Sequence, residues 1–227
     1  MKKYKLFLII KDNSERVKKK NFRLIAGKPL HQYFLDQRKN FDIYIDTDSQ
    51  EIFDFYHENP EYKNIKVYMR LQEHIFMESS GDISPAPYMI KRFLNEFVTD
   101  QNEPIVTSHI TSPFIEDSTI LKAISLSDNF SSISSVKSVK EFCVKNIEDK
   151  GIPINFPLDK IMKTQSLEPV GILNGAFFIL NKKTFLDNGL KRISSNHYYY
   201  PVSDIEALDI DTDFDLMVAK IYAESIV

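Results

Sequence analysis

Residues 6–10 read LFLII, a continuous apolar run that ends abruptly at KDNS, residues 11–14. A run of this kind is typical of a strand that is buried on both faces of a parallel sheet. In α/β sheets, ligands bind outside the carboxyl ends of such strands. The two segments therefore predict the first strand of an α/β fold and, directly after it, a loop that bears function.

Strand and helix patterns alternate through the first half of the chain. Strands are predicted at residues 42–46, 65–68 and 104–107, and amphipathic helices at 49–56 and 89–97. Repeated β-α-β units of this length favour a parallel sheet with helices on both faces. The predicted fold class is α/β: a Rossmann-like three-layer α/β/α arrangement with a mostly parallel central sheet and a small flap or dimerisation region.

The second half of the chain is less regular. Strands are predicted at 132–139 and 176–180, and the proline-punctuated segment around 140–170 between them is the predicted flap or dimerisation region. Thr212 and Asp215 have the spacing of a capping box, which predicts a terminal helix. The predicted inward face of that helix consists of Phe214, Met217, Val218, Ile221 and Tyr222. We expect residues 1–227 to form a single domain.

Composition excludes several classes of partner. The chain has 227 residues, and 29 Lys and Arg against 32 Asp and Glu leave a net charge of −3. This balance provides no broad basic field for binding nucleic acid or an anionic membrane. The run at 6–10 is too short for a signal core or a spanning helix, and the single Cys143 fits a reducing compartment. We therefore expect no nucleic-acid partner, no membrane partner and a cytoplasmic location.

The loop after the first strand concentrates positive charge. Five of the eleven residues at 11–21 are Lys or Arg. A nucleoside triphosphate presents adjacent anionic oxygens, which such side chains neutralise through charge-assisted hydrogen bonds. The loop lacks the glycines of a Walker or dinucleotide-binding loop. Its position predicts a phosphate site, and the alternative is a solvated basic loop.

Asp209 and Asp211 form a second candidate site. Residues two apart in an extended segment project to the same side, so the two carboxylates can converge on one Mg²⁺ ion. The alternative is that Asp211 assists the cap of the terminal helix while Asp209 is solvated.

Several short motifs occur in a set order and span nearly the whole chain. They read SxRxxxKN at 14–21, AGKPL at 26–30, IDTDSxEI at 45–52, HITSPF at 109–114, TQSLEP at 164–169, NGA at 174–176 and DIDT at 209–212. This ordered set resembles the acylneuraminate cytidylyltransferase family, the CMP-sialic acid synthetases. The set is more specific than any of its members alone.

The resemblance implies a nucleotidyltransferase enzyme that moves CMP from CTP to a 2-keto sugar acid of the sialic, legionaminic or pseudaminic type and releases pyrophosphate. It also implies a homodimer, Mg²⁺ on Asp209 and Asp211, and a catalytic role for these two residues and Lys20. The implied nucleotide contacts are Lys11, Asn13, Ser14, Arg16, Lys20, Asn21 and Arg70. The implied sugar contacts are His109, Thr111, Lys163, Gln165 and Asn174.

Alternatives to these interpretations remain. His109 stands where many sialic acid members carry Gln, so activation of Kdo or a related sugar acid is a second hypothesis. The segment KDNS at 11–14 replaces the ARGGS run of the family, and a catalytically silent nucleotide- or sugar-binding relative is a third. Lys163 and Gln165 are equally compatible with a surface loop, and the pair Asn174 and Gly175 with a simple turn.

Overall fold

The structure is a computed structural model that describes residues 3–14, 16–81, 84–147 and 150–226. The strands are β1 (Tyr4–Ile10), β2 (Leu24–Ile25), β3 (Lys28–Pro29), β4 (Phe41–Thr47), β5 (Ile65–Met69), β6 (Ile105–Ser108), β7 (Ser132–Val139), β8 (Val144–Ile147), β9 (Lys150–Pro153), β10 (Val170–Leu180) and β11 (His197–Val202). The helices are α1 (Leu30–Leu35), α2 (Gln50–Glu58), α3 (Gln72–Ser80), α4 (Ala86–Phe97), α5 (Asp117–Ile124), α6 (Lys182–Asp187) and α7 (Asp213–Ser225). Within these four stretches of chain, every helix falls short of the length and apolar character needed to cross a bilayer.

Strand β1 lies near the middle of a seven-stranded sheet with the order β11-β7-β10-β6-β1-β4-β5. It runs parallel to β4 on one side and to β6 on the other, and β4 runs parallel to β5. Strand β10 is antiparallel to both of its neighbours, β6 and β7. The prediction of a mostly parallel central sheet is therefore confirmed.

Alternate side chains of β1 enter two different hydrophobic cores. Leu6 and Leu8 pack on one face of the sheet with residues of α1, α2 and α5. Phe7 packs on the other face with α4, and its ring stacks on that of Phe93 at 4.8 Å between centroids. Because β1 is covered on both faces from Leu6 onward, its sequence is apolar from Leu6 to Ile10. This arrangement is the predicted three-layer α/β/α fold.

The terminal helix α7 begins as predicted, because Thr212 and Asp215 form a reciprocal capping box. The predicted inward face is wrong for most of its members, although Tyr222 packs against the core beneath this helix and against the ring of Phe114. Leu216, Ala219 and Ala223 are buried, whereas Phe214, Met217 and Ile221 are exposed. Small alanines at the buried positions suit the close packing of α7 on the layer that contains β2.

The segment predicted as a flap contains a hairpin that is separate from the main sheet. Strand β8 pairs antiparallel with β9, and the pair forms its own two-stranded sheet. Several apolar side chains around it are exposed: Phe142, Val144, Ile152 and Ile154. Residues 148 and 149 of the predicted flap lie outside the described residues. The role of the segment stays a prediction.

Candidate active site

A cleft of about 710 Å³ opens at the carboxyl edge of the parallel strands. Lys11 directly follows β1, Asp48 follows β4 and His109 follows β6, and all three residues line the cleft. The chain turns to opposite sides of β1 at this point, since β4 and β6 flank it. A strand-order reversal of this kind leaves the crevice in which doubly wound α/β proteins bind ligands.

Asp211 of the acidic pair contacts two cleft-lining residues of the basic loop. The guanidinium Nη1 of Arg16 lies 2.8 Å from Oδ2 of Asp211, and Nζ of Lys20 lies 3.1 Å from Oδ1 of the same carboxylate. Lys20 also donates to the carbonyl of Ile210 at 2.6 Å. The Arg16 side chain is 69% exposed, but that of Lys20 is only 11% exposed. Two cations thus share one carboxylate at the rim of the cleft.

The other polar residues of the loop also line the cleft. Asn13, Ser14 and Asn21 face it, and Asn21 donates to the carbonyl of Lys11 at 2.6 Å. This hydrogen bond ties the end of the loop to its beginning. The structure therefore gathers Lys11, Asn13, Ser14, Arg16, Lys20 and Asn21 around one cleft. Their roles as nucleotide contacts stay predictions.

Asp209 lies behind Asp211 and is held by the loop that follows β6. The backbone N–H of Ile210 donates to the carbonyl of Thr111 at 2.8 Å. Burial raises the pKa of Asp209, the hydroxyl of Thr111 opposes this by a hydrogen bond, and the charge of Asp211 adds to it. Among the described residues, Oδ1 of Asp209 is buried without a hydrogen-bond partner. Such an oxygen is open to a cation or to a hydrogen-bond donor of a bound ligand.

The acidic pair fits a Mg²⁺ site of a particular kind. In the described part of the chain, no group of three His, Cys, Asp or Glu side chains is arranged to hold a metal ion. Mg²⁺ is commonly bound by one or two carboxylates together with substrate phosphates and water. Asp209 and Asp211 supply the carboxylates, and a nucleotide would have to supply the phosphate oxygens.

Arg70 lies one layer behind the cleft instead of lining it. Its side chain is fully buried, with Nε 2.9 Å from Oδ1 of Asp46, and with Nη1 2.9 Å from Oε2 of Glu78 and 3.2 Å from Oδ2 of Asp48. Glu78 and Asp48 do line the cleft, and Glu78 also pairs with Lys11. Arg70 therefore positions two carboxylates of the cleft wall, and its predicted contact with the nucleotide stays a prediction.

His109 lines the end of the cleft that follows β6. Burial, together with the charge of Arg192, lowers the pKa of His109 to about 4. The imidazole is therefore neutral at neutral pH. Gly175 adopts a φ of +71°, and a Cβ atom there would lie 3.3 Å from Nδ1 of His109. The Asn-Gly pair therefore lies within β10, at an irregularity of the pairing with β7 between Leu173 and Phe178, and Gly175 leaves room for the imidazole.

Asn174 is fixed beside this end of the cleft. Its Oδ1 accepts a hydrogen bond from the hydroxyl of Ser135 at 2.6 Å. Within the described residues its Nδ2 is buried without an acceptor. Thr111 and His109 line the cleft, whereas Lys163 and Gln165 are exposed at a short 3-10 turn and are not part of its lining. The predicted sugar contacts of Lys163 and Gln165 stay predictions.

Sequence reasoning missed three residues of the cleft. Asp48 belongs to the IDTDSxEI motif and directly follows β4, so its position was a usable signal. Glu78 lies on α3, whose apolar residues show no clear face, and Arg192 lies in the connection between α6 and β11. Nothing local marks either of them, because only tertiary packing brings them to the cleft.

Comparisons with known proteins agree with this geometry. A family model described as "Cytidylyltransferase" matches residues 12–150. The N-acylneuraminate cytidylyltransferases of Streptococcus agalactiae serotype III and serotype V are 29% and 28% identical to this chain over 219 residues. The matched region covers 91% of this chain and 50% of each relative, so the chain spans about half the length of the curated relatives that it matches.

Solved structures share the fold at low sequence identity. A CMP-2-keto-3-deoxy-manno-octonic acid synthetase in complex with CTP superposes with a TM-score of 0.65 at 11% identity, over 99% of this chain and 100% of that one. A 4-diphosphocytidyl-2C-methyl-D-erythritol synthase from Anaerococcus prevotii gives 0.60 at 14% identity, over 97% and 96%. Fold, cleft and family model lead to one conclusion: the chain belongs to the cytidylyltransferase family.

Proposed function

We propose that the protein transfers CMP from CTP to a 2-keto sugar acid of the sialic, legionaminic or pseudaminic type and releases pyrophosphate. The observation that carries this proposal is the meeting of Arg16 and Lys20 with Asp211 at the carboxyl edge of the sheet. Membership of the cytidylyltransferase family and the two N-acylneuraminate cytidylyltransferases from Streptococcus agalactiae support it.

The reaction needs little covalent chemistry from the protein. The anomeric hydroxyl oxygen of the acid attacks the α-phosphorus of CTP in line and forms a new P–O bond. The bond between the α-phosphorus and the oxygen that bridges to the β-phosphate breaks, and pyrophosphate leaves with the electron pair. The hydroxyl proton passes to solvent. Catalysis is therefore mainly positioning of the two substrates and neutralisation of phosphate charge.

The residues of the cleft divide this work. Lys11, Arg16 and Lys20 neutralise the triphosphate, and each exchanges a carboxylate partner for a phosphate oxygen when the nucleotide binds. Asp209 and Asp211 would hold Mg²⁺, which supplies Lewis-acid polarisation of the α-phosphate when it is bound. The neutral imidazole of His109 exchanges hydrogen bonds with a hydroxyl of the acid.

One experiment tests the reaction. The purified protein is supplied with CTP, Mg²⁺ and, in turn, sialic, legionaminic, pseudaminic and Kdo-type acids, and pyrophosphate release is measured. We expect release with at least one nine-carbon acid and CTP, and much less with ATP or GTP in place of CTP. Pyrophosphate release with the Kdo-type acid alone would mean that the acceptor is a Kdo-type acid. The proposed transfer of CMP would still stand.

A catalytically silent relative is the second candidate. It is favoured by the ion pair between Lys11 and Glu78, because this carboxylate already neutralises one cation of the basic loop. Calorimetry separates the two candidates. CTP binding without pyrophosphate release from any acid would establish the silent relative and reject the transferase.

A further inference from the structure

Arg192 occupies the junction of two cavities. It lines the cleft, and it also lines a neighbouring pocket of about 470 Å³ with the apolar side chains of Ile90, Leu173 and Phe178 among its walls. Its guanidinium carbon lies 3.8 Å from the centroid of the Phe178 ring. This stacking uses the flat face of the guanidinium and leaves its edge, which carries the N–H donors, free.

The charge of Arg192 has no counter-ion in the described part of the chain. No carboxylate there pairs with it, and no acceptor there takes a hydrogen bond from it. Other cations of the cleft do have such partners: Lys11 pairs with Glu78, and Arg16 and Lys20 pair with Asp211. Burial lowers the pKa of Arg192, and no nearby carboxylate opposes the effect. A partly buried cation without a partner is costly, so a bound anion would relieve that cost.

The position of Arg192 assigns it to the acceptor end of the cleft. Both Arg192 and His109 line the cleft, and the charge of Arg192 acts on the imidazole. Arg192 therefore lies near the residue that is proposed to contact the acid. The apolar side chains beside Arg192 make its surroundings less polar than water, which strengthens the attraction between the guanidinium and an anion.

We propose that Arg192 binds the carboxylate of the acceptor acid through its free edge and so selects acidic acceptors. This inference rests on the proposed function. Lys163, which the family resemblance implies as a sugar contact, is exposed and does not line the cleft, whereas Arg192 does. A planar guanidinium matches a carboxylate with two parallel hydrogen bonds, which gives orientation as well as affinity.

The test compares Arg192→Gln and Arg192→Lys with the wild type in the pyrophosphate assay. We expect Arg192→Gln to raise KM for the acid at least tenfold and to leave KM for CTP within twofold. Arg192→Lys keeps the charge and loses the planar edge, so its KM for the acid should lie between the values of the wild type and Arg192→Gln. Lys183→Gln removes an exposed charge that lines neither cavity and is the matched control, with both KM values unchanged.

A second arm uses the methyl ester of the same acid as acceptor. The wild type should prefer the free acid to the ester at least tenfold in kcat/KM, and Arg192→Gln should prefer it less than threefold. An unchanged preference in Arg192→Gln would overturn the proposal, as would a rise in KM for CTP in place of the acid. Equal melting temperatures of the variant and the wild type would establish that the variant is folded.

Failure of the proposed function has a different signature. If the wild type releases no pyrophosphate from any acid, calorimetry with the same acids in the presence of CTP and EDTA measures binding without turnover. Binding of an acid by the wild type that weakens at least tenfold in Arg192→Gln would support the role of Arg192 in a silent relative. Absence of binding by every acid would overturn both proposals.

Discussion

Nζ of Lys20 lies 3.1 Å from Oδ1 of Asp211, and this contact joins two segments that are 191 positions apart in the chain. The same ammonium donates to the carbonyl of Ile210, so it is held by two acceptors from one segment. Arg16 occupies the second carboxylate oxygen of Asp211. The basic loop and Asp211 therefore lie side by side, as the proposed phosphate and Mg²⁺ contacts require.

Asp211→Asn should lower kcat at least 100-fold, because the proposed Mg²⁺ site loses one of its two carboxylates while the size of the side chain is retained. Pyrophosphate release at saturating substrates measures the effect, and circular dichroism checks folding. Asp213→Asn is the matched control, since Asp213 is an exposed acidic side chain two positions further along the chain. Equal activity of Asp211→Asn and Asp213→Asn would remove Asp211 from the metal site.

Arg16→Gln should weaken CTP binding about 10- to 100-fold, since a hydrogen bond to a charged group contributes about 1.5–3 kcal/mol. Calorimetry with CTP measures the change. The control is Lys18→Gln, because Lys18 is an exposed cation of the same loop that does not line the cleft. If both variants lose affinity equally, the loop acts only through its overall charge, and the specific role of Arg16 is wrong.

Gly175→Ala should destabilise the protein and raise KM for the acid. The residue adopts a φ of +71°, and the added Cβ would lie 3.3 Å from Nδ1 of His109. The left-handed conformation alone costs about 1–2 kcal/mol for a residue with a side chain. Gly189→Ala isolates that cost, because Gly189 has a φ of +65° with open space around it. Only Gly175→Ala should change KM, and equal kinetics of the two variants would contradict contact between position 175 and His109.

His31 should make the folded state less stable as the pH falls from about 6.5 to about 4. Burial lowers its pKa from 6.5 to about 4 in the folded chain, with Asp36 opposing the effect. Over this range the unfolded chain binds a proton that the folded chain does not bind. Folding stability is therefore complete above pH 6.5, falls as the pH decreases, and loses about 3 kcal/mol in total.

Urea unfolding at several pH values measures this slope, and the comparison with His31→Gln removes contributions from carboxylates. The variant also loses the 2.6 Å hydrogen bond between Nδ1 and the hydroxyl of Tyr56, which lowers its stability at all pH values but not its slope. His57→Gln is the control, since His57 is exposed at the end of α2. Identical slopes in His31→Gln and the wild type would show that His31 is not the group responsible.

Ile152→Asp should convert a homodimer into a monomer in analytical ultracentrifugation. Strands β8 and β9 pair only with each other and present the exposed apolar side chains of Phe142, Val144 and Ile152. A charge in the middle of a buried apolar interface is strongly unfavourable. Ile221→Asp places the same charge on the exposed face of α7 and should leave the dimer intact. A wild type that is monomeric at micromolar concentration would reject the proposed dimer.

The predictable part of the fold lies in elements whose burial follows from their own pattern. β1 is apolar from Leu6 to Ile10 because both faces are covered, and the capping residues of α7 lie only three positions apart in the chain. The face of α7 was not predictable. Large apolar residues dominate one side of that helix, but the space available favours Ala219 and Ala223 on the other.

For the site, the sequence by itself determined the order of the motifs, the charge of the loop at 11–21 and the spacing of Asp209 and Asp211. Only the tertiary structure decided that Arg70 lies behind the cleft, that Lys163 lies outside it and that Arg192 lies within it. The physical reason is the distance along the chain over which each kind of interaction acts. Periodicity and capping act over a few residues, whereas the neighbours of a side chain in the cleft depend on how distant segments pack.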